Sequence, residues 1–304
     1  MQLLTYFIFR FFVLLFSVLP FRIIYIISDG FRFLLHRVLK YRREVIQSNL
    51  ERSFPEKDEA EIQRLIKGAY ANLCDIMVEG IKGLNMSDAQ CLKRYKFLNP
   101  EVANKLFERN TSIFILSSHY GNWEWGPLGV SLQIKHHTVG IFAPIKNKYI
   151  DHYIQNARCL ENVSVHPMKT TFQAFDRFKD RLTAFTFIMD QSPSNPQKAH
   201  WVKFLNQDTA VLHGADNHAR RTGLPVVFFE KFRIKRGHYE IIMTLLFDDP
   251  TQAKEGEISR AYMEQMEEII RKKPEDWLWS HRRWKHGWKE GYKWVGSERL
   301  TIND

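Results

Sequence analysis

A histidine and a carboxylate stand five residues apart in Ser118-His119-Tyr120-Gly121-Asn122-Trp123-Glu124-Trp125-Gly126, directly after a short apolar run. A histidine held by a carboxylate can take a proton from a hydroxyl, because the carboxylate fixes the ring tautomer and stabilises the imidazolium that forms. This is the logic of a catalytic triad without its serine, so the expected nucleophile is a hydroxyl of the substrate. On one continuous helix a five-residue step separates two side chains by about 140°, and they meet poorly. A histidine at a strand end, a turn at Gly121-Asn122 and a helix starting near Trp123 instead fold the chain back, so that Glu124 reaches the imidazole. The spacing alone arises often by chance. Its position at the C-terminal end of a strand, where sheet proteins place their sites, strengthens it.

The elements needed to hold that turn are legible around it. Ser112 to Ser117 reads as a buried strand, and similar runs recur at Thr138 to Phe142, Leu182 to Met189, Leu224 to Phe229 and Tyr239 to Phe247. Between them lie predicted helices at Lys148 to Leu160, Thr171 to Lys179 and Ala210 to Thr222. Strands alternating with helices predict an α/β domain with a central, largely buried sheet flanked by helices. A helical period runs from Glu56 to Leu84, bracketed by Pro55 and Asn85-Met86-Ser87-Asp88. Another covers Glu257 to Lys272 and stops at Pro274.

Leu3 to Ile27 is long and apolar enough to reach across a bilayer, although it carries Arg10, Pro20 and Arg22. A cleaved signal peptide fits poorly, because the small-residue cleavage site is missing. We expect an N-terminal membrane-anchor helix within residues 1–45, spanning the bilayer or embedded in its interface, followed by one domain over residues 46–304. The positive residues Arg32, Arg37, Lys40, Arg42 and Arg43 then place that domain on the cytoplasmic side. The chain's net charge of +10 predicts attraction to anionic lipid, acidic carrier proteins or nucleic acid, and does not choose among them. Cys74, Cys91 and Cys159 are scattered and lack the paired spacing of a zinc or redox motif.

The string SSHYGNWEWGPL resembles the signature block of the lysophospholipid acyltransferase superfamily, and specifically of the bacterial lipid A biosynthesis acyltransferases, the lauroyl and myristoyl transferases. Further blocks follow in the family's order. They are Asn49 to Glu56, Val139-Gly140 through Arg158, Met189-Asp190-Gln191, Phe204 through Pro225, and Trp277 through Lys285. One departure is the segment Cys159-Leu160-Glu161-Asn162, where the family commonly carries a glycine and where Asn162 is expected to supply a left-handed turn.

The resemblance implies transfer of an acyl chain from acyl carrier protein to a hydroxyl of a lipid A precursor, a glycolipid, at the cytoplasmic face of the inner membrane. It implies His119 as general base and Glu124 as its orienting partner. A thioester donor needs no cofactor or metal, since its thiolate is a competent leaving group and the barrier falls through positioning, proton removal and oxyanion stabilisation. Backbone amides around Tyr120 to Asn122 are the first place to look for oxyanion donors.

Asn122, Arg158, Asp190 and Gln191 are candidate substrate-binding residues. Arg158, at a predicted helix end, suits a phosphate or pantetheine contact. Asp190 and Gln191 close a strand and emerge on the rim of His119 if the strands are parallel. Asn217, His218, Arg220 and Arg221 fall in a helix and read as a solvated face. The aromatic and basic tail from Trp277 to Lys289 has the composition of a nucleic-acid patch, but membrane-interface docking accounts for it equally and also for the anchor, so no nucleic acid partner is expected. Two alternatives use the same residues. A lysophospholipid or amino-acid lipid supplies an equivalent acceptor hydroxyl, and a basic, membrane-tethered binding protein would show salt-sensitive binding and no thioester consumption.

Overall fold

The computed structural model of the chain describes residues 1–296; the end of the expected domain, residues 297–304, lies outside them. Helices are α1 (Gln2–Val18), α2 (Phe21–Phe33), α3 (Arg43–Ser53), α4 (Glu59–Gly83), α5 (Asp88–Arg94), α6 (Glu101–Glu108), α7 (Gly126–Ser131), α8 (Lys148–Arg158), α9 (Thr171–Arg177), α10 (Gly214–Thr222) and α11 (Glu257–Lys272). Strands are β1 (Tyr95–Phe97), β2 (Ile113–Ser117), β3 (His137–Phe142), β4 (Val163–Pro167), β5 (Thr183–Ile188), β6 (His200–Phe204), β7 (Gln207–Val211), β8 (Val226–Lys235) and β9 (His238–Phe247).

Seven strands form one sheet in the order β1-β9-β8-β2-β5-β3-β4, and β6 and β7 form a separate antiparallel pair. From β8 to β4 all neighbours are parallel, and β9 returns antiparallel to β8. Every residue of β2 is buried because the strand lies between β5 and β8 with helices over both faces. That explains an uninterrupted apolar run in place of alternation. One apolar cluster joins α3, α4, α10, α11 and the tail to one side of the sheet. A second, built around Tyr95, Trp125, Val130 and Phe229, fills the other. The expected α/β architecture is present.

The N-terminal segment departs from expectation. Pro20 has no amide proton and disfavours helix in the residue before it, so Leu19 is extended and the apolar run splits into α1 and α2. No helix among the described residues is long and apolar enough to cross a membrane, so the expected anchor is not present as a spanning helix. The two helices lie instead against α4, with Phe16, Ile24 and Val78 buried at the contact. Arg236, in the β8–β9 turn, reaches both Asp29 and Asp75, and Ser28 Oγ donates to Asp75 at 2.6 Å, so α2 is fastened to the body by charge as well. The outward face of the pair stays apolar, with Phe7, Phe11 and Leu14 more than half exposed.

Helix α4 begins with a capping box in which Asp58 accepts from the Glu61 amide while the Glu61 carboxylate reaches back. The expected helix from Ala210 starts only at Gly214, because residues 207–211 pair with β6. Asn162 does not take a left-handed conformation; α8 ends with Cys159 extended, and Leu160 and Val163 close the following turn. Cys74, Cys91 and Cys159 are all free thiols.

Candidate active site

His119 lies two residues beyond the end of β2, and Asp190 two beyond the end of its parallel neighbour β5. Parallel register brings these ends together, as expected for the rim of a sheet where the strand order changes. The pairing differs from the one expected from sequence. His119 Nδ1 lies 2.7 Å from Asp190 Oδ1, and the His119 amide donates to Asp190 Oδ2 at 2.9 Å. Asp190, not Glu124, is therefore the orienting partner of the imidazole. With Nδ1 donating, Nε2 carries the lone pair and accepts from Gln191 Nε2 at 3.3 Å.

Asp190 is 2% exposed and does not line the cavity described below. Burial pushes its carboxyl up, but the His119 charge and hydrogen bonds from His119 and from Trp277 Nε1, at 2.9 Å, outweigh that and hold the group at about 2. Trp277 belongs to the tail expected at a membrane interface. It is core instead, 2% exposed, paired with Tyr120 in an isolated bridge, while the neighbouring Asp276 carbonyl accepts from the Gly121 amide at 2.9 Å. The turn is thus clamped from below by the chain's last segment. Asn49 in α3 in turn holds that segment by donating to the Trp279 and His281 carbonyls. His281 Nε2 accepts from the Ser192 amide at 3.0 Å; burial and the nearby Arg283 charge depress its titration to about 4, which keeps the ring neutral.

Glu124 precedes α7 in a non-helical turn, since the helix starts at Gly126 and not near Trp123. Its carboxylate accepts from Arg158 Nη2 at 2.5 Å and from Trp123 Nε1 at 3.0 Å. The Trp123 ring packs edge-on against His119 with centroids 4.9 Å apart. Glu124 and Arg158 thus form an ion pair on the same cavity as His119, and Glu124 meets the imidazole only through Trp123. Asn122 is fully buried. Its amide donates to Glu79 Oε2 and its oxygen accepts from the Trp125 amide, so it fixes the turn, and it does not line the cavity described below. Glu79 also accepts from Tyr25 and Tyr239, and burial raises its carboxyl.

A cavity of about 490 Å³ opens at His119, Glu124, Arg158 and Gln191. Away from these groups its wall is largely apolar, with Val130, Ile141, Phe142, Val165, Ile188 and Phe229. It crosses the sheet face from β8 through β2, β5 and β3 to β4, about 19 Å at the usual strand spacing. Gly140, midway, leaves the floor open: a Cβ there would meet nothing nearer than 3.9 Å, as suits a strand glycine beside a bound group. A smaller cavity of about 270 Å³ shares the wall formed by Ile141, Met168, Ile188 and Leu212. Two groups at the site escaped sequence reasoning. Ser117 lines the large cavity, and Lys231 is buried behind it. The one signal was a lysine interrupting the apolar run of β8.

Residues 1–286 match the family described as bacterial lipid A biosynthesis acyltransferase. Over 270 residues the chain is 23% identical to the lipid A biosynthesis lauroyltransferase of Escherichia coli K12, covering 88% of this chain and 87% of that protein. Over 279 residues it is 23% identical to a lipid A biosynthesis acyltransferase of Haemophilus influenzae, covering 88% and 84%.

Proposed function

Since the chain belongs to the bacterial lipid A biosynthesis acyltransferase family and is an acyltransferase, we propose that it moves a fatty acyl chain from an acyl carrier protein thioester to a hydroxyl of a lipid A precursor, with His119 as general base. The observation that carries this reading is the setting of the imidazole. Its Nδ1 is engaged by a buried carboxylate, and its Nε2 faces a mouth of charged groups that leads into an apolar groove. Such a groove suits a hydrocarbon chain, and the Arg158–Glu124 pair at the mouth suits the polar end of a donor or acceptor.

In the reaction, the acceptor hydroxyl gives its proton to His119 Nε2 as its oxygen adds to the thioester carbonyl. Asp190 stabilises the imidazolium, which then protonates the departing thiolate. No acyl-enzyme forms. The acyltransferase domain is assigned to residues 46–304. The exposed Phe7, Phe11 and Leu14 of α1, with the basic Arg32 and Arg37 following in the sequence, support docking in the interface of the inner membrane from the cytoplasmic side.

The test is release of free thiol from acyl carrier protein by the purified full chain in detergent, with and without a lipid A precursor. Acceptor-dependent release that falls about a thousandfold in His119→Ala is expected. Full activity in that variant would remove His119 from the reaction, and turnover only with a lysophospholipid or amino-acid lipid would reassign the acceptor.

A further inference from the structure

Addition of a hydroxyl to a thioester puts negative charge on the carbonyl oxygen, and that charge needs a donor already in place. None of Tyr120, Gly121 and Asn122, the turn expected to provide one, lines the cavity. The His119 amide is bound to Asp190 and the Gly121 amide to the Asp276 carbonyl. Another donor lies in the cavity wall. Ser117 is the last residue of β2, and it lines the same cavity as His119. Lys231 Nζ donates to Ser117 Oγ at 2.8 Å. The oxygen is therefore used as an acceptor and its own hydrogen is left to donate, yet among the described residues that hydrogen has no acceptor.

Lys231 is an unusual neighbour. It is 1% exposed, on β8 beneath the Gly121 turn, where a Cβ on Gly121 would lie 3.4 Å from its own Cβ. No carboxylate among the described residues forms an ion pair with it. Burial lowers its amine to about 8, and the charge of Asp190 acts against that shift. A buried ammonium without an ion pair is costly to the fold, so its single hydrogen bond to a cavity-lining hydroxyl calls for a use.

We propose that Ser117 is the oxyanion donor of the transfer, with Lys231 as the positioning residue that polarises its hydroxyl. This rests on the reading of the cavity as the thioester site. As the acceptor oxygen bonds to the carbonyl carbon, its proton passes to His119 Nε2 and the carbonyl π pair moves onto oxygen, which accepts the Ser117 hydrogen bond. On collapse the C=O bond re-forms, the C–S bond breaks, and the thiolate takes the proton from His119. Ser117 keeps its proton and forms no covalent bond throughout. While Lys231 is an ammonium it has no lone pair to take the serine proton, which separates this role from that of a serine nucleophile with a lysine base.

The experiment compares Ser117→Ala, Ser117→Thr, Lys231→Met, the Ser117→Ala/Lys231→Met double variant and His119→Ala, using acyl carrier protein thioester and a lipid A precursor. Ser117→Ala is expected to lose about a hundredfold in kcat with KM for both substrates within about twofold, and Ser117→Thr to recover part of that loss. Lys231→Met should lose about tenfold, and the double variant no more than Ser117→Ala alone, because the two residues act through one bond. Where Lys231→Met does not fold, Lys231→Arg, which keeps the charge, is expected to stay within about threefold of the wild type. Wild-type kcat in Ser117→Ala, additive losses in the double variant, or an acyl ester on Ser117 in acid-quenched single turnovers would each overturn the proposal. Wild-type turnover that fails in His119→Ala but survives in Ser117→Ala overturns this inference alone. Absence of thioester turnover in the wild type overturns the parent reading.

Discussion

Replacing Asp190 with Asn separates the structural pairing from the sequence-based one. Asp190 accepts three hydrogen bonds, two from His119 and one from Trp277, in a site almost closed to water. Its carboxyl titrates at about 2 against an ordinary 3.8, even after burial has pushed it upward. That gap corresponds to about 2 kcal/mol of net preference for the charged form. Withdrawing a comparable amount from the imidazolium slows the proton-transfer step about thirtyfold. The amide adds a second penalty, since its NH₂ can face Nδ1 and drive the ring proton to Nε2, leaving no base toward the cavity; in a triad that exchange costs ~10⁴. The expected loss in kcat for Asp190→Asn is therefore about 10² to 10⁴, read by thiol release at saturating donor and acceptor. A stability signature accompanies it. A carboxyl depressed by folding stabilises the protein above its unfolded pKa, and the contribution is lost as pH falls from about 4 to about 2. Wild-type melting temperature should drop through that window more steeply than that of the Asn variant. Activity within about threefold of the wild type would refute the pairing argument, and so would a larger loss in Glu124→Gln than in Asp190→Asn.

Glu124→Gln is expected to raise KM severalfold and lower kcat by less than Asp190→Asn, since its contacts are Arg158 and Trp123; steady-state kinetics with varied donor and acceptor decide it. Lys231 carries a depressed amine, so the unfolded chain binds more protons between pH about 8 and 10.5 and the wild type gains about 3 kcal/mol across that range. Denaturant titrations of Lys231→Met should lack that rise. Gly140→Leu would project into the groove from its open floor and is expected to shift donor preference toward shorter acyl chains, read by competition between carrier proteins of two chain lengths. Phe11→Glu with Leu14→Glu should weaken vesicle co-sedimentation at least tenfold while leaving turnover of detergent-dispersed substrate within about threefold.

The His119 turn was legible because β2 is short, apolar and ends in residues of the wrong character for a core. Asp190 and Gln191 were placed on the correct rim by the same reasoning applied to β5. What local sequence does not contain is which strand ends are neighbours. The choice between Glu124, five residues away, and Asp190, seventy-one away, is settled by β2 lying parallel beside β5. The same limit hid Ser117 and Lys231, which meet only because β8 flanks β2 on its other side. Four strands went unread for local reasons. β1 is three residues long, β4 follows a turn that resembles a loop, and β6 and β7 contain polar residues whose pairing with each other is what makes them strands. The spanning helix failed on a single residue: hydropathy counts Leu3 to Ile27 as one run, whereas Pro20 divides it. The aromatic tail misled because composition cannot distinguish rings at an interface from rings that pack on one another, as Trp277, Trp279 and Trp284 do.

The clamp on the His119 turn has a consequence for biosynthesis. The carbonyl that fixes the Gly121 amide, the indole that holds Asp190 and the imidazole that caps Ser192 all come from residues 276–281, near the end of the chain. While the ribosome is still making the protein, the sheet, the groove and the His119–Asp190 pair can all have emerged before the parts that lock them. Until residues 276–281 have emerged, the nascent chain carries the proposed reacting groups without their final geometry. A premature stop between Lys231 and Trp277 leaves a chain with every proposed reacting residue and no fixed site.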